Sequence, residues 1–209
     1  MCDDIVEGYR DAINEADWLT EETRKSLIEK LDGIIFLTAK DIDVNELDTD
    51  LADCFTGDYF DTQENIEELG KKKRVENLIE GTDRTFIMMP MHEVNACYSP
   101  YMNNVTITLA IQAYPFFSKD ESYGFNLAGL GGTISHEIGH AVDSEGIKYD
   151  KNGTYNPGWI CDEDISKLEE RNEAAVKYFE TAFLVYNIYA VNGERTLGEN
   201  YADLGGVEV

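Results

Sequence analysis

Two histidines four residues apart can face one ion only if the chain between them is helical, and the stretch TISHEIGHAVDSEG, residues 133–146, imposes that condition. His136 and His140 would then project from one face, one turn apart, with Glu137 about 100° round the axis. That angle makes Glu137 a poor fellow ligand but a well-placed acceptor for a proton of water on the same ion. The HExxH pattern is a zinc-peptidase signature, informative only where a helix and a third ligand accompany it.

The periodicity predicts the helix. From near Asn126, Leu127, Leu130, Ile134, Ile138 and Val142 form an apolar stripe on a different face from the histidines. Gly129, Gly131, Gly132 and Gly139 weaken helix propensity there, so close packing against that helix is expected. Upstream, Ile5, Val6, Tyr9, Ala12, Ile13 and Ala16 mark one amphipathic helix, and Leu27, Leu31 and Ile35 a second. Thr20 is the expected N-cap of the second, with Glu21 and Glu22 in its first turn. A third helix is expected from Asp58 to Glu80, carrying Tyr59, Phe60, Ile66, Leu69, Val75, Leu78 and Ile79, with the basic KKKR run at 71–74 as a solvated face.

After residue 84 the period changes to two, with Val105, Ile107 and Leu109 alternating against Thr106 and Thr108. A hairpin turning at SPYMNN follows from that. A turn at DKNG, a long helix from Asp162 carrying Ile165, Leu168, Ala175, Phe179 and Phe183, and a last helix at GENYADLGG complete the chain.

Composition narrows the partners. With 42 acidic against 17 basic residues the net charge is -25, which repels nucleic-acid phosphates and anionic lipid, so neither nucleic acid nor a membrane surface is an expected partner. No apolar run nears membrane-spanning length, and MCDDIVEGYR lacks the basic-then-apolar order of a signal peptide. Cys2, Cys54, Cys97 and Cys161 form no CxxC pair and read as free thiols.

Two imidazoles alone bind zinc weakly, so a further ligand is needed. Asp143, one turn beyond His140, is better placed to take a hydrogen bond from that histidine's other nitrogen. In LGENYADLGG, Glu199 and Asp203 are i and i+4 on one helix face, suiting Glu199 as ligand and Asp203 as a group that orients a histidine.

VNACYSP, SHEIGHAVDSEG and TLGENYADLGG, in this order, resemble the neprilysin family of zinc endopeptidases, M13, over nearly the whole chain. The resemblance implies an α+β, mostly helical fold, thermolysin-like at its zinc helices, with a small β-sheet edging the cleft. It implies one Zn2+ ion on His136, His140 and Glu199, Glu137 as general base, and Asp143 and Asp203 holding the two histidines. Asn95 and Ala96 match the family's edge-strand pair that binds substrate backbone, and oligopeptides cut on the amino side of hydrophobic residues are the implied substrates. In the family the chain continues with a histidine that stabilises the tetrahedral intermediate and an arginine that binds substrate.

These 209 residues therefore read as a fragment whose partners include the remaining N- and C-terminal parts of a full-length enzyme. Residues 1–83 are expected to be a helical segment leading into a zinc-binding catalytic region, 84–209. His92, the remaining histidine, is read as a solvent or core residue, and ITLA at 107–110 departs from the family's FPAG. Ala174, where vertebrate relatives place a disulfide cysteine, favours a bacterial member working in a reducing, cytoplasmic compartment, with an extracytoplasmic one as the alternative. Three readings stand: a zinc endopeptidase, a catalytically incomplete metal- or peptide-binding fragment of one, and an acidic helical scaffold without metal.

Overall fold

The computed structural model describes residues 1–41, 49–81, 83–182, 184–185 and 188–209; Phe183, expected on the long helix, lies outside them. Helices α1 (Cys2–Glu15) and α2 (Glu21–Asp32) form where the two stripes place them, burying Ile5, Tyr9 and Ile13 and then Leu27 and Leu31. Thr20 caps α2, its Oγ1 accepting the Thr23 N–H at 3.4 Å. Asp164 accepts both the N–H and the hydroxyl of Thr20, at 3.0 and 2.6 Å, which ties the start of α2 to a distant part of the chain.

Ile35 does not extend the α2 stripe. Gly33 ends the helix, and the β-branched pair Ile34–Ile35 then enters strand β1 (Ile35–Leu37), which runs parallel to a later strand. Next come α3 (Thr49–Asp53) and α4 (Tyr59–Glu80), the latter capped by Asp58 through the N–H groups of Phe60 and Asp61. Helix α4 is present but builds no core: Tyr59, Phe60, Val75, Leu78 and Ile79 are all exposed. At 100° per residue the helix's apolar positions, Ile66 and Leu69 included, are spread round the axis and collect on no single face to bury.

Strands β2 (Ala96–Ser99) and β3 (Asn104–Ile107) make the expected hairpin, with Asn103 in its turn at φ 47°. β3 is central, β1 and β2 flank it, and β2 is an edge. Leu109, expected on the strand's apolar face, lies beyond its end and is exposed. The chain turns there because the Thr108 hydroxyl reaches in to the Glu93 and Asn95 carbonyls, at 2.6 and 2.7 Å.

Helix α5 (Tyr123–Asn126) starts earlier than the periodicity suggests, under a Ser122 cap, widens into one π-turn over Leu127–Gly131, and continues as α6 (Gly132–Gly139). The Phe116 carbonyl accepts Leu130 N–H at 2.8 Å, and a Cβ on Gly129 would fall 2.3 Å from that oxygen. Gly132 by contrast faces open space, so its expected close packing is absent. Val142 lies past the end of α6, where short-range bonds from Ala141 to Ile138 and from Val142 to Gly139 tighten the backbone out of the helix.

Helix α7 (Asp162–Ala182), a short ribbon of β4 (Leu184–Val185) and β5 (Tyr189–Ala190), and α8 (Leu197–Glu208) follow. One core unites Ile5, Tyr9, Leu27 and Leu31 with Val105, Ile107, Ile134, Ile138 and Ile160, so the fold is a mostly helical α+β arrangement with its small sheet beside α6. All four thiols are free, and among the described residues no helix is long and apolar enough to cross a membrane.

Candidate active site

Helix α6 points Ile134 and Ile138 into the core and His136 and His140 to the other side, as the two interleaved periods require. Helix α8 crosses close by because the contact residues are small: a Cβ on Gly139 would fall 2.8 Å from the Ala202 Cα, and Ala202 is fully buried. That approach carries Glu199, in the first turn of α8, to the histidines. Its Oε2 is 3.2 Å from His136 Nε2 and 3.7 Å from His140 Nε2, and the two Nε2 atoms are 3.1 Å apart.

Each ring's other nitrogen faces a carboxylate. His136 Nδ1 is 2.8 Å from Asp203 Oδ1, and His140 Nδ1 is 2.8 Å from Asp143 Oδ2. Aspartates at that distance hold the proton on Nδ1, which leaves both Nε2 lone pairs turned toward Glu199. Three electron-rich atoms converging this closely repel one another unless a cation stands among them. Zinc bonds of about 2.0–2.1 Å in a tetrahedron separate ligand atoms by about 3.3 Å, so this donor set fits the ion. Among the described residues it is the one cluster of three or more His, Cys, Asp or Glu side chains with that convergence.

Glu137 sits at the rim of the same space. Its Oε2 accepts the backbone N–H of Tyr98 at 2.8 Å, which fastens α6 to strand β2. Burial raises the Glu137 pKa, opposed by the Tyr98 N–H and the two imidazoles. For His140 the Asp143 bond is the main cause of a raised pKa. Burial acts to raise the Asp143 pKa, yet the His140 bond and the Gly146 and Glu145 amides outweigh it and hold the carboxyl below its ordinary value.

Antiparallel strands alternate between residues whose backbone groups face the partner and residues whose groups face away. The Tyr98 N–H leaves β3 for Glu137, so Ala96, two residues earlier, also presents its N–H and C=O to the open edge. Asn95 Oδ1 accepts that Ala96 N–H at 3.0 Å. A cavity of about 460 Å3 lies between β2, α6 and α8, lined by Asn95, Ala96, Tyr98, His136, Glu137, His140 and Glu199. The structure therefore brings together every residue singled out from the sequence for this site, with Asp203 at its outer side. His92 is exposed and outside the cluster.

The Tyr98 N–H was not singled out by sequence reasoning, because a backbone donor has no letter of its own. The burial of Lys30 has a signal in the sequence, since a lysine between Leu27 and Leu31 occupies the buried stripe of α2.

Two histidines carried by α6 and a carboxylate from α8, beside a glutamate and an open strand edge, make up the metal-site arrangement of the HExxH class. The model described as "Peptidase family M13" matches residues 95–209, and the chain belongs to that family. It is 31% identical to a neutral endopeptidase of Lactobacillus helveticus, over 99% of this chain and 32% of that protein. Among solved structures, the zinc metalloprotease ZMP1 of Mycobacterium tuberculosis, crystallised with an inhibitor, superposes with a TM-score of 0.79 at 30% identity, over 99% of this chain and 32% of that one. PEPO from Lactobacillus rhamnosis superposes with a TM-score of 0.81 at 28% identity, over 100% and 32%. The chain spans about a third of the length of the relatives it matches.

Proposed function

We propose that this chain carries the zinc-binding part of an endopeptidase that hydrolyses oligopeptides, with His136, His140 and Glu199 holding one zinc ion. The observation that carries the reading is the convergence of those three donor atoms, from α6 and α8, beside Glu137. When bound, zinc supplies Lewis acidity, polarising a peptide carbonyl and lowering the pKa of water from about 16 to about 7.

The residues divide the remaining work. Asp143 and Asp203 fix the tautomer and direction of the two imidazoles. Glu137 is the general base: Tyr98 holds one carboxylate oxygen, and the other, Oε1, takes a proton from the attacking water and returns it to the departing amine. The raised pKa of Glu137 brings it nearer to neutrality, where it both accepts and releases that proton. Peptide backbone adds to the outer edge of β2 at the Ala96 main chain and the Asn95 side chain, an alignment that reads main chain and leaves side-chain choice to a pocket. The preference for cleavage before hydrophobic residues is carried over from the resemblance and is read out by mass spectrometry of the products.

The test is a quenched-peptide assay with zinc. Cleavage by the unaltered chain that disappears in Glu137→Gln, with zinc retained, supports the reading; cleavage surviving in Glu137→Gln overturns it. A second reading, a metal- or peptide-binding fragment without turnover, is favoured by the openness of the α8 side, where the Glu199 and Asp203 side chains are 69% and 74% exposed and water is not excluded. Zinc binding without any cleavage by the unaltered chain supports that alternative.

A further inference from the structure

We infer that Lys30 is a positioning residue of the metal site, directing His140 from beneath through the turn that follows α6. The inference rests on the zinc-site reading above.

Lys30 belongs to α2, more than a hundred residues from the histidines, and it is fully buried. Lysine is almost never fully buried without partners, so its contacts show what its presence supports. Nζ donates to the Gly146 carbonyl at 2.5 Å and the Tyr149 carbonyl at 2.7 Å, and it stands 5.6 Å from the centre of the Trp159 ring. The turn it grips is tightly wound: a Cβ on Gly146 would fall 1.9 Å from the His140 carbonyl oxygen.

The same turn holds Asp143. Gly146 N–H and Glu145 N–H donate to Asp143 Oδ1 at 2.7 and 2.8 Å, while the other oxygen, Oδ2, meets His140 Nδ1 at 2.8 Å. An unbroken set of bonds therefore runs from Lys30 through Gly146 and Asp143 to His140. Burial pushes the Lys30 pKa down to about 7, with Asp143 and Asp150 opposing the fall, so the ammonium and the Asp143 carboxylate act on each other electrostatically as well.

Lys30 also braces the opposite wall. Its carbonyl accepts Asn103 Nδ2 at 3.0 Å, and Asn103 Oδ1 accepts the Tyr98 hydroxyl at 2.9 Å. Tyr98 is the residue whose N–H holds Glu137. That second route uses only main chain at position 30 and survives a side-chain substitution. Replacing the lysine thus separates the two walls: the His140 side loses its anchor and the Glu137 side keeps it. His136 has its Nδ1 partner, Asp203, on α8, outside both routes, and meets His140 only through its ring, so its Nδ1–H serves as the comparison.

The experiment compares the full chain with Lys30→Met, zinc-free and zinc-loaded. Imidazole proton and nitrogen NMR in the zinc-free protein reports each Nδ1–H separately, and chelator competition gives the zinc affinity. In Lys30→Met the His140 Nδ1–H signal is expected to exchange away or shift, with the His136 signal changing much less. Zinc affinity is expected to fall about tenfold, the low end of what loss of a metal ligand's hydrogen-bonded support causes. An unmoved His140 signal, or equal changes at both histidines, overturns the inference, since a mere structural staple would disturb both alike. Failure of the unaltered chain to bind zinc overturns the metal-site reading instead, and the zinc-free spectra still decide whether Lys30 directs His140. Should Lys30→Met fail to fold, Lys30→Gln carries the same comparison. A check without any variant is amide exchange in the zinc-free chain: protected Glu145 and Gly146 amides support a turn already held in place, and freely exchanging ones overturn it.

Discussion

Glu137 and Glu199 are the same residue type within one cavity, and their surroundings set them apart. Glu137 is buried against β2, while the Glu199 side chain, at the start of α8, is largely open to solvent. In the proposed function the first is the proton carrier and the second the zinc ligand. Glu199→Ala is expected to weaken zinc binding by more than the roughly 10–100-fold that follows loss of an outer-shell partner, with the helical circular dichroism unchanged. Competition with a chelating dye measures it. The pH dependence has a definite sign, because zinc requires neutral imidazoles. The Asp143 bond makes His140 hold its proton more tightly than an ordinary imidazole. Zinc affinity should therefore begin to fall, on acidification, above the usual imidazole pKa of about 6.5, and in Asp143→Asn that onset should move to lower pH. An onset that does not move removes Asp143 from the role. These residue identities were readable in advance, since HExxH and ExxxD state them in letters; the Tyr98 contact to Glu137 was not, because it is made by main chain.

At the scale of elements, the site is a crossing of two helices. Gly139 permits it, and Gly139→Ala sets two known effects in opposition. Alanine in place of glycine favours a helix by about 1 kcal/mol, whereas overpacking a tight contact costs about 1–3 kcal/mol. Overpacking wins here because the obstructing atom, the Ala202 Cα at 2.8 Å, is backbone and cannot rotate aside. The variant should melt earlier and also bind zinc less tightly, since α8 carries Glu199 and Asp203 outward together. A variant of unchanged melting temperature and zinc affinity would mean the helices are not held at this contact. Periodicity found α1, α2, α4, α6, α7 and α8 and the β2–β3 hairpin. It assigned Ile35 to a helix and missed β1, because three residues are too few to show a period and the pairing with β3 is made across nearly seventy positions of sequence. It placed α4 with its apolar residues, most of which are exposed because no shared face collects them.

Over the whole molecule, a net charge of -25 opposes compaction, and a divalent cation bound between two helices favours it. Added salt should raise the melting temperature by screening that repulsion. Zinc should raise it further, adding about 2.7 kcal/mol at a hundredfold excess over its dissociation constant, and a chelator should reverse only the second effect. Zinc that leaves the melting temperature unchanged would argue for the scaffold reading. The order of residues alone determined which side chains are chemically able to act together, because helical spacing is a local property that two adjacent turns suffice to set. Tertiary structure decided that the α6 pair and the α8 carboxylate share one point in space, that β2 leaves its edge open beside them, and that a lysine from α2 lies beneath His140. Those facts depend on packing between segments about forty to nearly a hundred and twenty residues apart, which no local spacing encodes.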